Sequence, residues 1–288
     1  MRLVTSRGVA LVELVVALTL SGLLAAAAVG LLGRTQDFYR SAVQQIDVSQ
    51  NLRVAGAFLP AELRELDAVD GDVVAMTPTA VTIRAARQLA ALCRPPVVGD
   101  APGSVNLTLG AAPFSALRDL DAATDSLWIF RDGDPLSPED DDWIAAAITT
   151  LDPDTCPDGR AGRRVTAFPR VAPGLSLEEG QVMTGAPVLG FETVTYRLYR
   201  SSADRRWYVG METASDLQPV LGPVTQDGLA FTYLDSTGAT VAEAARVRVI
   251  EFRVRARTVE PIRTRDGRLD QPLDSLVAVV YLRNNPRY

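Results

Sequence analysis

Four groups of side chains in this sequence have the types and spacings from which chemistry is built. Glu13 is an isolated carboxylate within Gly8–Gly33, a run otherwise made only of apolar, small or hydroxyl residues. Cys93 and Cys156 are the only two thiols, each beside proline-containing loop sequence, an arrangement that suits a disulfide in an exported domain. Bonded, they would close a loop of about 60 residues, worth on the order of 4 kcal/mol; the alternative is two buried thiols. Glu139, Asp140, Asp141 and Asp142, with Asp132 and Asp134 upstream, concentrate the oxygen ligands calcium uses, without the spacing of an EF-hand. Asp140, Asp141 and Asp142 are the candidate metal ligands, set against the simpler reading of a solvated acidic loop. Arg246, Arg248, Arg253, Arg255 and Arg257 form an alternating basic row that meets an acidic protein partner or nucleic acid, or is simply solvated, with protein favoured over nucleic acid because the chain is acidic overall.

What is missing restricts the chemistry further. The sequence holds no histidine, and its 29 basic residues are all arginine. Without histidine there is no Ser-His-Asp or Cys-His catalysis and no HExxH zinc site; without lysine there is no Walker A lysine and no Schiff base. Two cysteines do not complete a structural zinc set. No enzymatic activity and no resident cofactor are expected. A net charge of −6 also argues against nucleic acid as a partner.

The element that must position Glu13 is a helix, because the run from Gly8 to Gly33 is long enough to cross a bilayer. A carboxylate inside it costs roughly 2.5–3.5 kcal/mol on insertion scales, and such groups usually pair within an assembly. Three readings of this N-terminus stand side by side. One is a conventional secretory signal with Arg2 and Arg7 as its basic region and cleavage near Ala25-Ala26-Ala27. Glu13 within the apolar core of the signal argues against it. Another is an uncleaved anchor in which Glu13 is incidental.

The third rests on the polar leader Met1–Gly8, with Arg2 and Arg7, followed at once by the apolar run with Glu13 at its fifth position. This resembles the signal of type IV prepilins and the pseudopilins of type II secretion. In that family a membrane peptidase cuts after the glycine, the new N-terminus is methylated, and the fifth-position glutamate guides assembly. The resemblance implies cleavage between Gly8 and Val9, methylation of Val9 and an assembly role for Glu13; Val9 stands where phenylalanine is usual, and Ala10 where threonine is common. Once cut, Val9 would carry a cationic amine that is costly in the membrane unless an anion lies beside it. Glu13 of one subunit can meet Val9 of a neighbour displaced by a helical turn or two, so the two charges offset each other only in one stacking register.

Beyond Gly33, helical character continues into polar sequence, with Phe38, Ala42, Ile46, Leu52, Ala55, Leu59, Leu63 and Leu66 expected on one face and Pro60 as a kink or break. From Val73 the pattern becomes short β runs, expected at 72–76, 80–85, 88–92, 105–109, 126–130 and 164–168, with 143–150 either strand or short helix. The last hundred residues read as antiparallel strands, with a hairpin around Ser201–Arg205, alternation over Ile250–Arg257, an exposed connection at Thr258–Asp274 and a final strand over Leu276–Arg283. Trp128, Trp143 and Trp207 are expected in the core. The fold class is α+β, a long N-terminal helix packed on a predominantly antiparallel β-sheet head. The divisions are a leader at 1–8, a transmembrane assembly helix at 9–33, its soluble continuation at 34–67, and a β-rich head at 68–288 with an acidic irregular insertion at about 131–160.

This layout is also similar to the larger minor pilins, including the J-type pseudopilin. The resemblance implies a structural subunit of the inner membrane, single-pass, with its head periplasmic or extracellular, joining a type IV pilus or a type II secretion pseudopilus at or near the tip. Its partners would be other pilin or pseudopilin subunits, the prepilin peptidase and the membrane. The alternative is a membrane-anchored exported binding domain using the acidic loop for a metal or ligand.

Overall fold

The computed structural model describes residues 7–132, 141–170, 182–264, 266 and 268–283, with side chains from residue 11 onward. One helix, α1, runs Arg7–Arg64. The strands that follow are β1 Val73–Thr77, β2 Ala80–Ala91, β3 Val97–Val98, β4 Val105–Gly110, β5 Ser115–Ala116, β6 Asp125–Arg131, β7 Asp142–Thr155 and β8 Ala161–Pro169. They continue with β9 Pro187–Arg200, β10 Trp207–Glu212, β11 Leu217–Val224, β12 Leu229–Leu234, β13 Val249–Arg257, β14 Ile262–Arg263, β15 Leu269–Asp270 and β16 Leu273–Tyr281. The architecture is the expected α+β, a helix on antiparallel sheet.

The chain divides into two compact units, Met1–Asn51 with Arg257–Asp274, and Leu52–Ala256 with Ser275–Tyr288. In the first, every residue from Leu11 to Arg40 is exposed. Val48 is buried, and Tyr39, Val43 and Ile46 point the other way and stay exposed. The side chain of Gln44 accepts a hydrogen bond from the Glu260 N–H at 2.9 Å, tying the 257–274 segment to the helix. That segment is a small hairpin, β14 on β15, with Ile262 buried.

The second unit carries the core. Its main sheet runs β1-β2-β9-β6-β7-β8-β4-β3, with β10 and β11 continuing from β9 and β5 added to β2. Leu107, Leu127, Ile129, Val165 and Ala167 are fully buried between neighbouring strands. The alternating strands place these residues on one face, as a half-buried sheet requires. Leu52, Ala55, Leu59 and Leu63 of α1 are buried in the same unit at a 3.6-residue spacing. A smaller sheet has the order β12-β13-β16. Phe231 N–H donates to the Pro78 carbonyl, and Tyr233 Oη donates to the Thr77 and Ala80 carbonyls, joining this sheet to the β1–β2 turn.

Several expectations are corrected. Residues 133–140 of the expected irregular insertion at about 131–160 lie outside the described residues, and its described part is mainly strand, since β7 covers Asp142–Thr155 and pairs with β6 and β8. Its alanines were ambiguous alone, and pairing on both edges decides for strand. The two short runs at 80–85 and 88–92 are one strand, β2, with a register shift between Ala86 and Gln88. Such a bulge flips the alternation and makes one strand read as two. Of the two readings of Pro60, a break is ruled out because the residue lies inside α1, and the helix stops at Arg64, three residues before Asp67. Phe38 and Ile46 are exposed rather than buried. Ile46 precedes Leu52 by six residues, a rotation that carries it well away from the Leu52 face. Trp128, Trp143 and Trp207 are half-buried rather than core. Trp128 stacks on Phe191 at 5.5 Å with the Arg84 guanidinium over its ring.

Candidate functional site

Gly8 and Val9 fall in the first turn of α1, and Glu13 follows in its second, exposed among exposed aliphatic side chains. By length and composition, this helix is able to span a membrane. Its surface from Leu11 to Leu32 is apolar apart from the Thr19 and Ser21 hydroxyls, and Glu13 is its single charge. What this arrangement can do is bury in lipid or against other helices, with one carboxylate left seeking a partner.

At the other end of α1, a chain of charges fastens it to the sheet. Glu62 accepts from Arg87 Nη1 at 3.1 Å and from the Tyr196 hydroxyl at 2.9 Å. Arg87 Nε donates to Glu192 Oε2 at 3.0 Å, and Arg118 Nη2 donates to the same oxygen at 3.0 Å. Arg118 then grips Asp125 with two nitrogens, at 2.7 and 2.6 Å. Five groups from α1, β2, β9, β6 and the loop after β5 thus alternate in sign. The side chains of Glu62, Arg87 and Glu192 are each over nine-tenths buried.

The environment acts on these groups as expected. Burial pushes the Tyr196 phenol well above its ordinary value, and the neighbouring Glu62 carboxylate adds to this. Burial works against the Arg87 cation, but Glu62 and Glu192 outweigh it and raise its pKa. The hydrogen bonds to Asp125 raise Arg118 in spite of its partial burial. Phe58 packs edge-on against Tyr196 at 5.6 Å, and a Cβ at Gly56 would lie 3.1 Å from Leu276 Cδ2. Gly56 therefore permits the close approach of α1 to β16. None of these partners was singled out from the sequence, because Glu62, Arg87 and Glu192 are far apart in the chain and each reads there as an ordinary surface charge.

Cys93 and Cys156 are disulfide-bonded, with Cα atoms 5.4 Å apart and a separation of 63 residues. Beside the bond, Asp154 accepts from Arg94 Nη2 at 2.6 Å and from the Thr108 hydroxyl at 3.0 Å. The Thr155 N–H, followed by Thr108 and Arg164, holds the Asp154 carboxyl down at about 2. Asp152 and Asp154 belong to β7, and Asp158 sits in the β7–β8 turn.

Of the candidate metal ligands, Asp140 lies outside the described residues. Asp141 just precedes β7, and Asp142 opens it, paired with Arg131 at 3.8 Å and accepting from the Trp143 N–H. Among the described residues, no group of three His, Cys, Asp or Glu side chains is placed to hold a metal ion. An open cleft of about 740 Å³ lies against the charge chain, lined by Arg118, Asp121, Glu192, Met211, Asp216 and Gln218. Its cation, Arg118, is already engaged by Asp125 and Glu192.

In the basic row, Arg246 pairs with Asp235 and Arg255 with Asp227. Arg248 donates to the carbonyls of Ala245 and Val247. Arg253 is exposed on β13. Comparison with protein-family models, curated proteins and solved structures yields no match.

Proposed function

We propose that the chain is a structural filament subunit of the prepilin type, cut between Gly8 and Val9, methylated on Val9 and assembled through α1. The β-rich unit is exported, and the helix holds the subunit in the inner membrane until assembly. The size of the β-rich part suits a minor component at or near the tip of a type IV pilus or type II secretion pseudopilus, where a bulky head need not repeat along the shaft. Partners are other subunits of the filament and the processing peptidase; no catalysis and no cofactor are proposed.

The observation that carries this reading is the surface of α1. Its exposed aliphatic stretch from Leu11 to Leu32 carries a single carboxylate, Glu13, five residues into the segment after Gly8. A free N-terminal amine and this carboxylate on adjacent helices would form a buried pair that sets stacking register rather than adding net stability. Tyr39, Val43 and Ile46 extend an exposed apolar stripe past the membrane segment, as helix packing in a filament core would use. The disulfide suits an exported, oxidising compartment.

The test compares the wild-type chain with Glu13→Gln in a host that carries the filament machinery. Removing a carboxylate eases insertion, so both forms should reach the membrane fraction. The wild-type protein is expected in filaments sheared from the cells, and the variant only in membranes. Equal incorporation of Glu13→Gln would contradict the assembly role.

A further inference from the structure

β16 forms one edge of the β12-β13-β16 sheet, and among the described residues no strand pairs with its other side. The Leu282 N–H donates to the Arg248 carbonyl at 3.0 Å, and the Thr258 N–H donates to the Pro272 carbonyl at 3.2 Å. Partner numbers fall on one strand as they rise on the other, and by the same amount. The pairing is therefore antiparallel and free of any net bulge. Hydrogen bonding alternates along such a ladder. Leu282 points its N–H at β13, as do Val280 and Ala278, so Val277, Val279 and Tyr281 direct theirs to the open edge.

The same three residues present their side chains to solvent, at 56%, 49% and 71% exposure, whereas Val280 and Leu282 are buried. Natural sheet edges are commonly blunted by a charge, a proline or a bulge. β16 carries one charge, Asp274 near its start, and from Ser275 to Leu282 the sequence Ser-Leu-Val-Ala-Val-Val-Tyr-Leu contains neither charge nor proline. The register sets Arg253 opposite Val277 and Glu251 opposite Val279 on the outer face. Arg253 makes no hydrogen bond or salt bridge among the described residues; the Asp227 carboxylate that Arg255 engages also feels its charge but does not hold the Arg253 guanidinium in place.

We infer that the open edge of β16 takes an added β-strand from another protein, an extended segment whose outward residues are apolar except for one carboxylate facing Arg253. Main-chain hydrogen bonds along the edge supply affinity, and the alternating outer face supplies specificity, as in other strand additions. Adjacent strands lie about 4.8 Å apart, so the added strand runs roughly 10 Å from β13, within the combined reach of an arginine and a glutamate leaning over Val277. A second copy of this chain fits less well. Pairing β16 with its twin would bring two Arg253 side chains onto one face and neutralise neither.

The test uses the full chain in detergent micelles and a fluorescein-labelled peptide, Thr-Val-Thr-Glu-Thr-Val-Thr-Val, followed by anisotropy. Saturable binding is expected, weakened at least about tenfold by N-methylation of the peptide backbone, which removes several edge hydrogen bonds without touching the protein. Changing the peptide glutamate to lysine should weaken binding, and Arg253→Glu in the protein should reverse that preference. Absence of saturable binding would overturn the inference. So would binding that survives N-methylation, or one indifferent to the charge at Arg253. Sedimentation of the free chain supplies the last arm: a dimer dispersed by Val277→Lys would assign the edge to a second copy and overturn the choice of partner.

Discussion

Replacing Arg87 by methionine removes the cation between two buried carboxylates while keeping much of the side-chain volume. Arg87 is 6% exposed and lies 3.1 Å from Glu62 and 3.0 Å from Glu192. At an effective dielectric constant of 20, unit charges about 4 Å apart attract by about 4 kcal/mol. Much of that attraction is offset by the cost of dehydrating the guanidinium. The net loss on removing one partner of a buried pair is about 3–5 kcal/mol, because the carboxylates left behind are buried without their cation. Glu62→Gln in the same chain should restore at least about 1 kcal/mol, since one orphaned charge disappears with it. All three tryptophans lie in the unit that contains the pair, so urea unfolding of the full chain in detergent, followed by tryptophan fluorescence, reads this loss directly. An Arg87→Met loss below about 1 kcal/mol, or strict additivity in the double variant, would refute the view that this ion pair fastens α1 to the sheet.

Removing the disulfide with Cys93→Ala and Cys156→Ala should lower stability by on the order of 4 kcal/mol, measured by the same urea titration with and without reductant on the parent chain. Gly56→Leu should cost about 1–3 kcal/mol by forcing α1 away from Leu276, with a drop in Tm as the readout. Acid should destabilise the fold: the Asp154 carboxyl is held at about 2 against an ordinary 3.8, so its ionised form favours folding above about pH 4, and that contribution fades as pH falls towards 2. Asp154→Asn should flatten the Tm profile in that window. Burial raises Tyr196 and Tyr233, so the folded state favours the neutral phenols; stability should fall above about pH 10, where the unfolded chain begins to ionise, and Tyr233→Phe should soften that fall.

The elements that the sequence makes legible are those with one dominant period. The apolar run after Gly8 reads as helix, and in β13 Ile250, Phe252 and Val254 are buried as their alternation with Glu251, Arg253 and Arg255 implies. The hairpin expected around Ser201–Arg205 joins β9 to β10. Where two periods or two partners compete, the sequence is silent. The bulge at Ala86–Gln88 shifts the alternation of β2 in mid-strand, and the alanines of β7 declare themselves only through β6 and β8. The charge chain from Glu62 to Asp125 was illegible for another reason. Arg87 and Glu192 lie 105 positions apart, and no local pattern separates a buried arginine from a solvated one. The edge of β16 needed its register as well as its sequence, because an apolar strand reads as core until one of its faces is found open.

The central claim, a prepilin-type subunit, turns on where the mature chain begins. Intact-mass and N-terminal sequencing of the protein purified from its native membrane test this most directly. The account predicts a chain that begins at Val9, carries one methyl group on its amine and retains Glu13. A chain that begins near Val29 has lost Glu13 to a conventional signal peptidase, and that result would contradict the account.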